Sequence, residues 1–208
     1  MTDDGNRRDA PAERIFAQTL QDHRDAVGRL GPGHLAAVAA LAADIARAWQ
    51  GGGRLLVCGN GGSAADAQHI VAELVGRFEC ERRACAALAL TVNTSTLTAV
   101  ANDYGFEEVF ARQVEGLGRP GDVLLVISTS GNSPNCVRAA ERARAAGLRV
   151  HGFLGRDGGR LRALVDGALI APSQDTPRIQ EIHLVMGHLL CSLLERDLPA
   201  AGPAGSRP

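Results

Sequence analysis

No lysine occurs among the 208 residues, and all 22 basic side chains are arginine. A Schiff-base mechanism and the Walker-type phosphate loop both need the lysine amine, so both are excluded. No CxxC pair is present either. The cysteines, Cys58, Cys80, Cys85, Cys136 and Cys191, are scattered and odd in number, which suits a reducing cytosol better than a disulfide scaffold. The opening MTDDGNRRDAPAER has no apolar signal core, and no run is long enough to span a bilayer, so a cytoplasmic protein is expected. Neither sign of charge dominates, since 23 acids oppose the 22 bases. That argues against a nucleic-acid or membrane surface and for a small polar metabolite as partner.

What the chain does hold is enough apolar content, 45%, for one substantial core. A single domain is expected over residues 11–198, with residues 1–10 and 199–208 having the composition of flexible tails. Residues 13–30 and 34–50 carry apolar residues at helical spacing, the second on a broad Ala/Leu face. Such a stripe serves either self-association or simple cover for a sheet. Beyond it, apolar runs at 55–59, 84–91, 122–128, 149–155 and 168–171 read as strands. They alternate with helices opened by Ser63 and at 95–101, 107–117, 134–146, 159–165 and 178–196. This alternation predicts βα units: a three-layer α/β sandwich, with a mainly parallel sheet flanked by helices. Ligands of such sheets bind beyond the carboxyl ends of the strands, where two loops, 59–63 and 128–133, are expected to meet.

The first loop, N-G-G-S, follows a buried strand. Ser63 is a preferred N-cap type, and the free N–H groups of a turn and helix start suit an anion. His69 and Glu73 follow on one helix face, four residues apart. The second loop, Ser128 to Ser133, offers four hydroxyls and a helix start, with Pro134 in the favoured first-turn position. It can hold a phosphate without any cationic side chain. In the last helix, Gln180 and His188 lie about 80° apart and can share one site, while His183 lies about 140° from His188 and faces elsewhere. The segment 102–106, NDYGF, reads as a polar turn with Gly105 as the breaker.

GNGGSAADAQH, AELVGRFE, ANDYGF, GDVLLVISTSGNSPN and RIQEIHLVMGH, in this order, closely resemble the sugar isomerase (SIS) domain family over residues 13–196. Within it they resemble the phosphoheptose isomerases, which interconvert sedoheptulose 7-phosphate and D-glycero-D-manno-heptose 7-phosphate. The resemblance implies a Rossmann-like, flavodoxin-like fold and a homotetramer with active sites at subunit interfaces. By matching motif it implies that Ser128, Thr129, Ser130 and Ser133 hold the phosphate. Asn60, Gly61, Gly62, Ser63, Asn102, Asp103 and Gln180 would contact the sugar. Glu73 and His188 would be the catalytic acid/base pair. Some members look like zinc proteins, which implies Zn2+ held by His69, Glu73, Gln180 and His188. Two positions depart from the common pattern, Asn93 where an Asp is frequent and Pro177 where some members carry an acid, and both are expected to tune the sugar pocket. A non-catalytic relative that binds a replication initiator shares NGGSAADAQH and STSGNS; the presence of both Glu73 and His188 favours the enzyme.

Overall fold

The computed structural model describes residues 11–198, so the two expected tails lie outside the described residues. Five parallel strands form one sheet in the order β2-β1-β3-β4-β5: β1 (Leu55–Gly59), β2 (Ala87–Ala89), β3 (Val123–Ser128), β4 (Arg149–Leu154) and β5 (Gly167–Ile170). Helices α1 (Ala12–Gly28), α2 (Pro32–Gln50), α3 (Gly62–Val75) and α7 (Thr176–Arg196) lie on one side. The other side is covered by α4 (Thr94–Tyr104), α5 (Ala111–Leu117) and α6 (Pro134–Ala145). No single helix among the described residues is long and apolar enough to cross a membrane.

Two cores result from the period-2 alternation of the central strands. Leu55 and Val57 of β1, with Leu125 and Ile127 of β3, pack against Leu41, Ile45, Ile70, Leu74 and Ile182. Leu56, Cys58, Leu124 and Val126 point the other way, against Val109, Phe110, Val114, Val137 and Leu161. Each such aliphatic side chain contributes roughly 1.5–3 kcal/mol on burial. This explains why β1 and β3 are buried end to end and carry continuous apolar runs, as strands with both faces covered do.

Several sequence expectations are corrected. The strand expected over 84–91 is a three-residue edge strand, because only 87–89 pair with β1. Residues before it are drawn to the end of α3 instead, where the Cys85 N–H donates to Leu74 O at 3.1 Å. The run 159–165 is a single 3-10 turn, Arg160–Ala163. The run 107–117 divides into a 3-10 turn, Phe106–Glu108, and the short α5. The expected polar turn at 102–106 is largely helical, with Asn102 and Asp103 in the last turn of α4 and the stop at Gly105, whose φ of 93° suits glycine.

The two departures from the family pattern have local explanations. Asn93 is the N-cap of α4 and accepts the Thr96 N–H at 2.9 Å, a role Asp fills equally well. Pro177 lies in the first turn of α7, where no intrahelical N–H is lost.

Candidate active site

The register of β1 on β3 pairs Gly59 with Ile127, so the loops that follow the two strands emerge side by side at the carboxyl edge. They are tied together by amides. Asn60 Nδ2 donates to Asn135 Oδ1 at 2.8 Å, and Asn135 Nδ2 returns a bond of the same length to Asn60 Oδ1. Asn135 Oδ1 also accepts the Cys136 N–H at 2.9 Å, which orients the pair at the start of α6. Asn60 thus presents less free hydrogen-bonding capacity to a sugar than its motif suggests. Asn135, absent from the sequence-based candidates, fixes where it points.

Ser63 does not open α3. The helix starts at Gly62 with Gly61 as its cap, at φ 55°, and no side chain caps it. Ser63 falls inside the first turn and is 3% exposed, its N–H donating to Asn60 O at 3.0 Å. The Gly-Gly turn closes itself through the backbone, so a hydroxyl cap is unnecessary. Gly62 has a steric reason of its own: a Cβ there would come 2.2 Å from Gln180 Nε2. The amide of Gln180 is therefore laid against the first turn of α3.

In the second loop, Ser128 is buried at the end of β3, and its Oγ accepts the Gly131 N–H at 3.1 Å and lies 3.3 Å from Ser133 Oγ. Ser130 Oγ accepts the Asn132 N–H at 3.1 Å. Ser133 is the N-cap residue of α6 but makes no side-chain cap bond, so its hydroxyl is turned into the loop. Three hydroxyls thus line one turn, with Thr129 between Ser128 and Ser130 half-buried. An open cavity of about 480 Å³ lies against this edge, lined by Asn60, Gly105, Phe106, Glu107, Ser133, Pro134 and Asn135. Asn102 and Asp103 are not on that wall; they are exposed, with Asn102 Nδ2 donating to Asp103 Oδ1 at 2.7 Å.

Beyond the first loop, α3 crosses α7 at Gly187, where an added Cβ would meet Ile70 at 3.0 Å. The close crossing brings His69 Nε2 to 2.8 Å from His188 Nε2, with the rings edge-on at a centroid distance of 5.0 Å. Glu73 Oε1 is 3.6 Å from His69 Nε2. Phe78 stacks on the His188 ring, centroids 5.6 Å apart and planes 19° apart. One turn before His69, Asp66 Oδ2 is buried without a partner, and burial raises its carboxyl pKa against the pull of His69. Cys191 lies one turn past His188 on α7, and burial, followed by the charge of Glu73, pushes its thiol up to about 12, so it stays protonated. His183 faces the sheet, as its angle on the helix requires: it is fully buried, donates Nε2–H to Leu154 O at 3.1 Å, and burial lowers its pKa to about 4.

Among the described residues no three His, Cys, Asp or Glu side chains already converge on one cation position. The donor atoms are nevertheless adjacent. Ligand atoms of a tetrahedral zinc lie about 3.3 Å apart, given bonds near 2.0–2.1 Å. The Nε2 pair at 2.8 Å and the carboxylate at 3.6 Å bracket that spacing, and two facing imidazole nitrogens need either a shared proton or a cation between them. His69, Glu73 and His188 thus have the donor chemistry of a zinc site, while Gln180 is held against Gly62 at the start of α3.

The SIS domain model matches residues 20–155. A phosphoheptose isomerase from Nitratiruptor sp. is 62% identical over 144 residues, 69% of this chain and 77% of the relative. The chain belongs to the phosphoheptose isomerase family of SIS-domain proteins. Another member, from Trichlorobacter lovleyi, is 50% identical over 186 residues, covering 89% of this chain and 95% of that one. The solved phosphoheptose isomerase of Neisseria gonorrhoeae superposes with a TM-score of 0.79 at 41% identity, over 88% of this chain and 98% of the other. Like the isomerases it joins, this family member is an enzyme, and its SIS-type α/β fold is the one its motifs predict.

Proposed function

We propose that the chain interconverts sedoheptulose 7-phosphate and D-glycero-D-manno-heptose 7-phosphate through an enediol. This is the step that commits a heptose phosphate toward nucleotide-activated heptose. The observation that carries the reading is the meeting of His69, Glu73 and His188 at the crossing of α3 and α7, two helices that both set out from the sheet edge bearing the glycine- and hydroxyl-rich loops. Family membership supports a sugar-phosphate isomerase of heptose biosynthesis. The substrate and the residue roles are the proposal.

The phosphate is held by Ser128, Thr129, Ser130 and Ser133, with the positive end of α6 behind them. Gly61, Gly62, Ser63 and Gln180 shape the floor under the sugar, with Asn60, Asn102 and Asp103 as further sugar contacts. Aldose–ketose isomerisation moves one proton between C1 and C2 and one between the two oxygens. Glu73 takes the proton from the carbon bearing hydrogen and returns it to the neighbouring carbon. His188 serves the oxygens, giving a proton where the carbonyl becomes a hydroxyl and accepting one where the hydroxyl becomes a carbonyl. Phe78 and the α3–α7 crossing keep water from the far side of the His188 ring.

His69, Glu73, Gln180 and His188 would hold a zinc ion, one per subunit, which when bound would polarise the carbonyl in place of the proton from His188 and leave Glu73 a weaker base. A homotetramer with sites at subunit interfaces is supported by α1. This helix buries only Ala26 within the described residues, while Ile15, Phe16 and Leu20 are 45%, 67% and 37% exposed. We place the enzyme in the cytoplasm.

The test is proton NMR of the purified protein with sedoheptulose 7-phosphate in D2O, with and without chelator followed by added zinc. An aldoheptose 7-phosphate deuterated at C2 is the expected product, lost on chelation and regained with zinc. No product under any metal condition would overturn the reading.

A further inference from the structure

Glu73 and His188 sit on different helices, and the geometry between them depends on what fixes the end of α3 and the loop that follows it. One buried ion pair reaches both. Arg82 donates Nε–H to Glu195 Oε1 at 3.0 Å, with the two side chains 2% and 4% exposed and 113 residues apart in sequence. The remaining guanidinium donors turn mainly back on the end of α3. Nη2 bonds the carbonyl of Glu73 itself at 2.6 Å, and Nη1 bonds Leu74 O at 2.8 Å, Gly76 O at 3.4 Å and Arg83 O at 3.0 Å. The last carbonyls of a helix have no intrahelical partners and carry its negative end, so a planar cation suits them in shape and in charge. The last turn of α3 has no basic residue of its own, and Arg82 takes that place from outside the helix.

Glu195 does the complementary work on the loop. Its Oε1 also accepts the Phe78 N–H at 2.9 Å, and its Oε2 accepts the N–H groups of Glu79 and Cys80 at 2.8 and 3.0 Å. Three consecutive backbone donors are thus gathered by one carboxylate. The first belongs to the residue whose ring stacks on His188. Glu195 also lies seven residues after His188 on α7, on the same stripe to within about 20°. The carboxylate that sets Phe78 and the imidazole that Phe78 covers are therefore borne by one rigid rod.

A buried ion pair is weak ground for stability, because its desolvation cost rivals the attraction. Here, apart from the pair itself and the Arg83 carbonyl, the bonds it makes are to main chain at the end of α3, which carries Glu73, and to residues 78–80, which carry Phe78. We propose that Arg82 and Glu195 are positioning residues for the isomerase reaction, holding Glu73 by its carbonyl and His188 through the Phe78 ring. The inference rests on the isomerase reading for its kinetic arm and on geometry alone for its spectroscopic arm.

The experiment compares full-length wild type, Glu195→Gln, Arg82→Lys and Asp44→Asn, all loaded with zinc under identical conditions. Glu195→Gln keeps the shape but turns an amide N–H toward donors. Arg82→Lys keeps the charge but cannot reach Glu195 and the α3 carbonyls together. Asp44→Asn breaks the buried pair of Asp44 on α2 with His151 on β4, 2.7 Å apart and outside the site, and serves as the stability control. For Glu195→Gln we expect kcat to fall 10- to 100-fold with KM for sedoheptulose 7-phosphate within twofold, and Arg82→Lys to follow at 5- to 30-fold. The His188 ring protons, shifted upfield by the Phe78 ring in wild type, should move downfield in both variants and stay put in Asp44→Asn. Unchanged kcat and an unmoved His188 resonance in either positioning variant would overturn the proposal, as would an equal kcat loss in Asp44→Asn. If Glu195→Gln does not fold, the same two readouts on Arg82→Lys decide the question. If wild type turns over no heptose phosphate, the isomerase reading falls, and the His188 resonance alone decides whether the pair sets the site.

Discussion

Two histidine–carboxylate pairs lie on the same side of the sheet, one joining β4 to α2 and one within α3. In the middle of β4, His151 lies 2.7 Å from Asp44 on α2, with both residues buried. Burial works to raise the Asp44 carboxyl, but bonds from His151 and Arg47, aided by Arg149, outweigh it and hold the group below its usual range. Where α3 crosses α7, His69 and Glu73 stand 3.6 Å apart with side chains 41% and 25% exposed, and His69 faces a second imidazole rather than a closed partner. The residue types are the same. A pair whose bonding is completed inside the protein fastens the fold, whereas one left open at a helix crossing has capacity for a ligand.

The largest effect that would break this contrast is at Glu73. Glu73→Gln should lower kcat by roughly 10²- to 10⁴-fold, the size of a lost general base, with the denaturant midpoint of unfolding unchanged; normal turnover would remove Glu73 from the chemistry. Next comes the reverse case. Asp44→Asn should cost about 3–5 kcal/mol of stability in urea unfolding, as loss of one partner of a buried pair does, with kcat of the folded enzyme intact.

A spectator imidazole sharpens the contrast further. His183 is neutral in the fold down to about pH 4, while the unfolded chain takes up its proton near the ordinary histidine value of 6.5. Between those two values the unfolded state binds more protons, so stability falls as pH is lowered from 6.5 to 4, by up to about 3 kcal/mol, and this contribution levels off below. Urea titrations at stepped pH should record that slope, and His183→Gln, which retains a donor for Leu154 O, should flatten it. The smallest effect is expected at Gly62→Ala. The new methyl meets only the movable end of Gln180, so stability should change little while activity drops several-fold, about 1 kcal/mol for one displaced contact.

Much of this architecture is legible in local pattern. The runs at β1 and β3 are apolar because both faces are covered, and the angular argument on α7 correctly separates His183 from His188. Local pattern fails where partners are distant. Ser63 has the composition of a cap, but the left-handed turn at Gly61 closes the helix without it. The Ala-rich stretch at 84–91 has the apolar content of a strand, yet an edge position and the pull of the α3 terminus leave it three residues of pairing. Arg82 and Asn135 gave no local signal, since their roles depend on groups 113 and 75 residues away. Glu195 did carry one: an acid on the apolar stripe of the last helix, two turns beyond His188.

The length of α7 sets a limit of a different kind. This uninterrupted 21-residue helix, about 31 Å long, carries Arg178 against the Thr19 carbonyl of α1, Gln180 against Gly62, His188 against His69 and Glu195 against Arg82. Side chains along it can be exchanged one at a time, but a residue added or removed between Gln180 and Glu195 turns one end by about 100° relative to the other and shifts it about 1.5 Å. Every docking point beyond the change would then miss its partner at once. Over evolutionary time this segment is free to vary in spelling but not in count, and sequence alignments across it should pass without gaps.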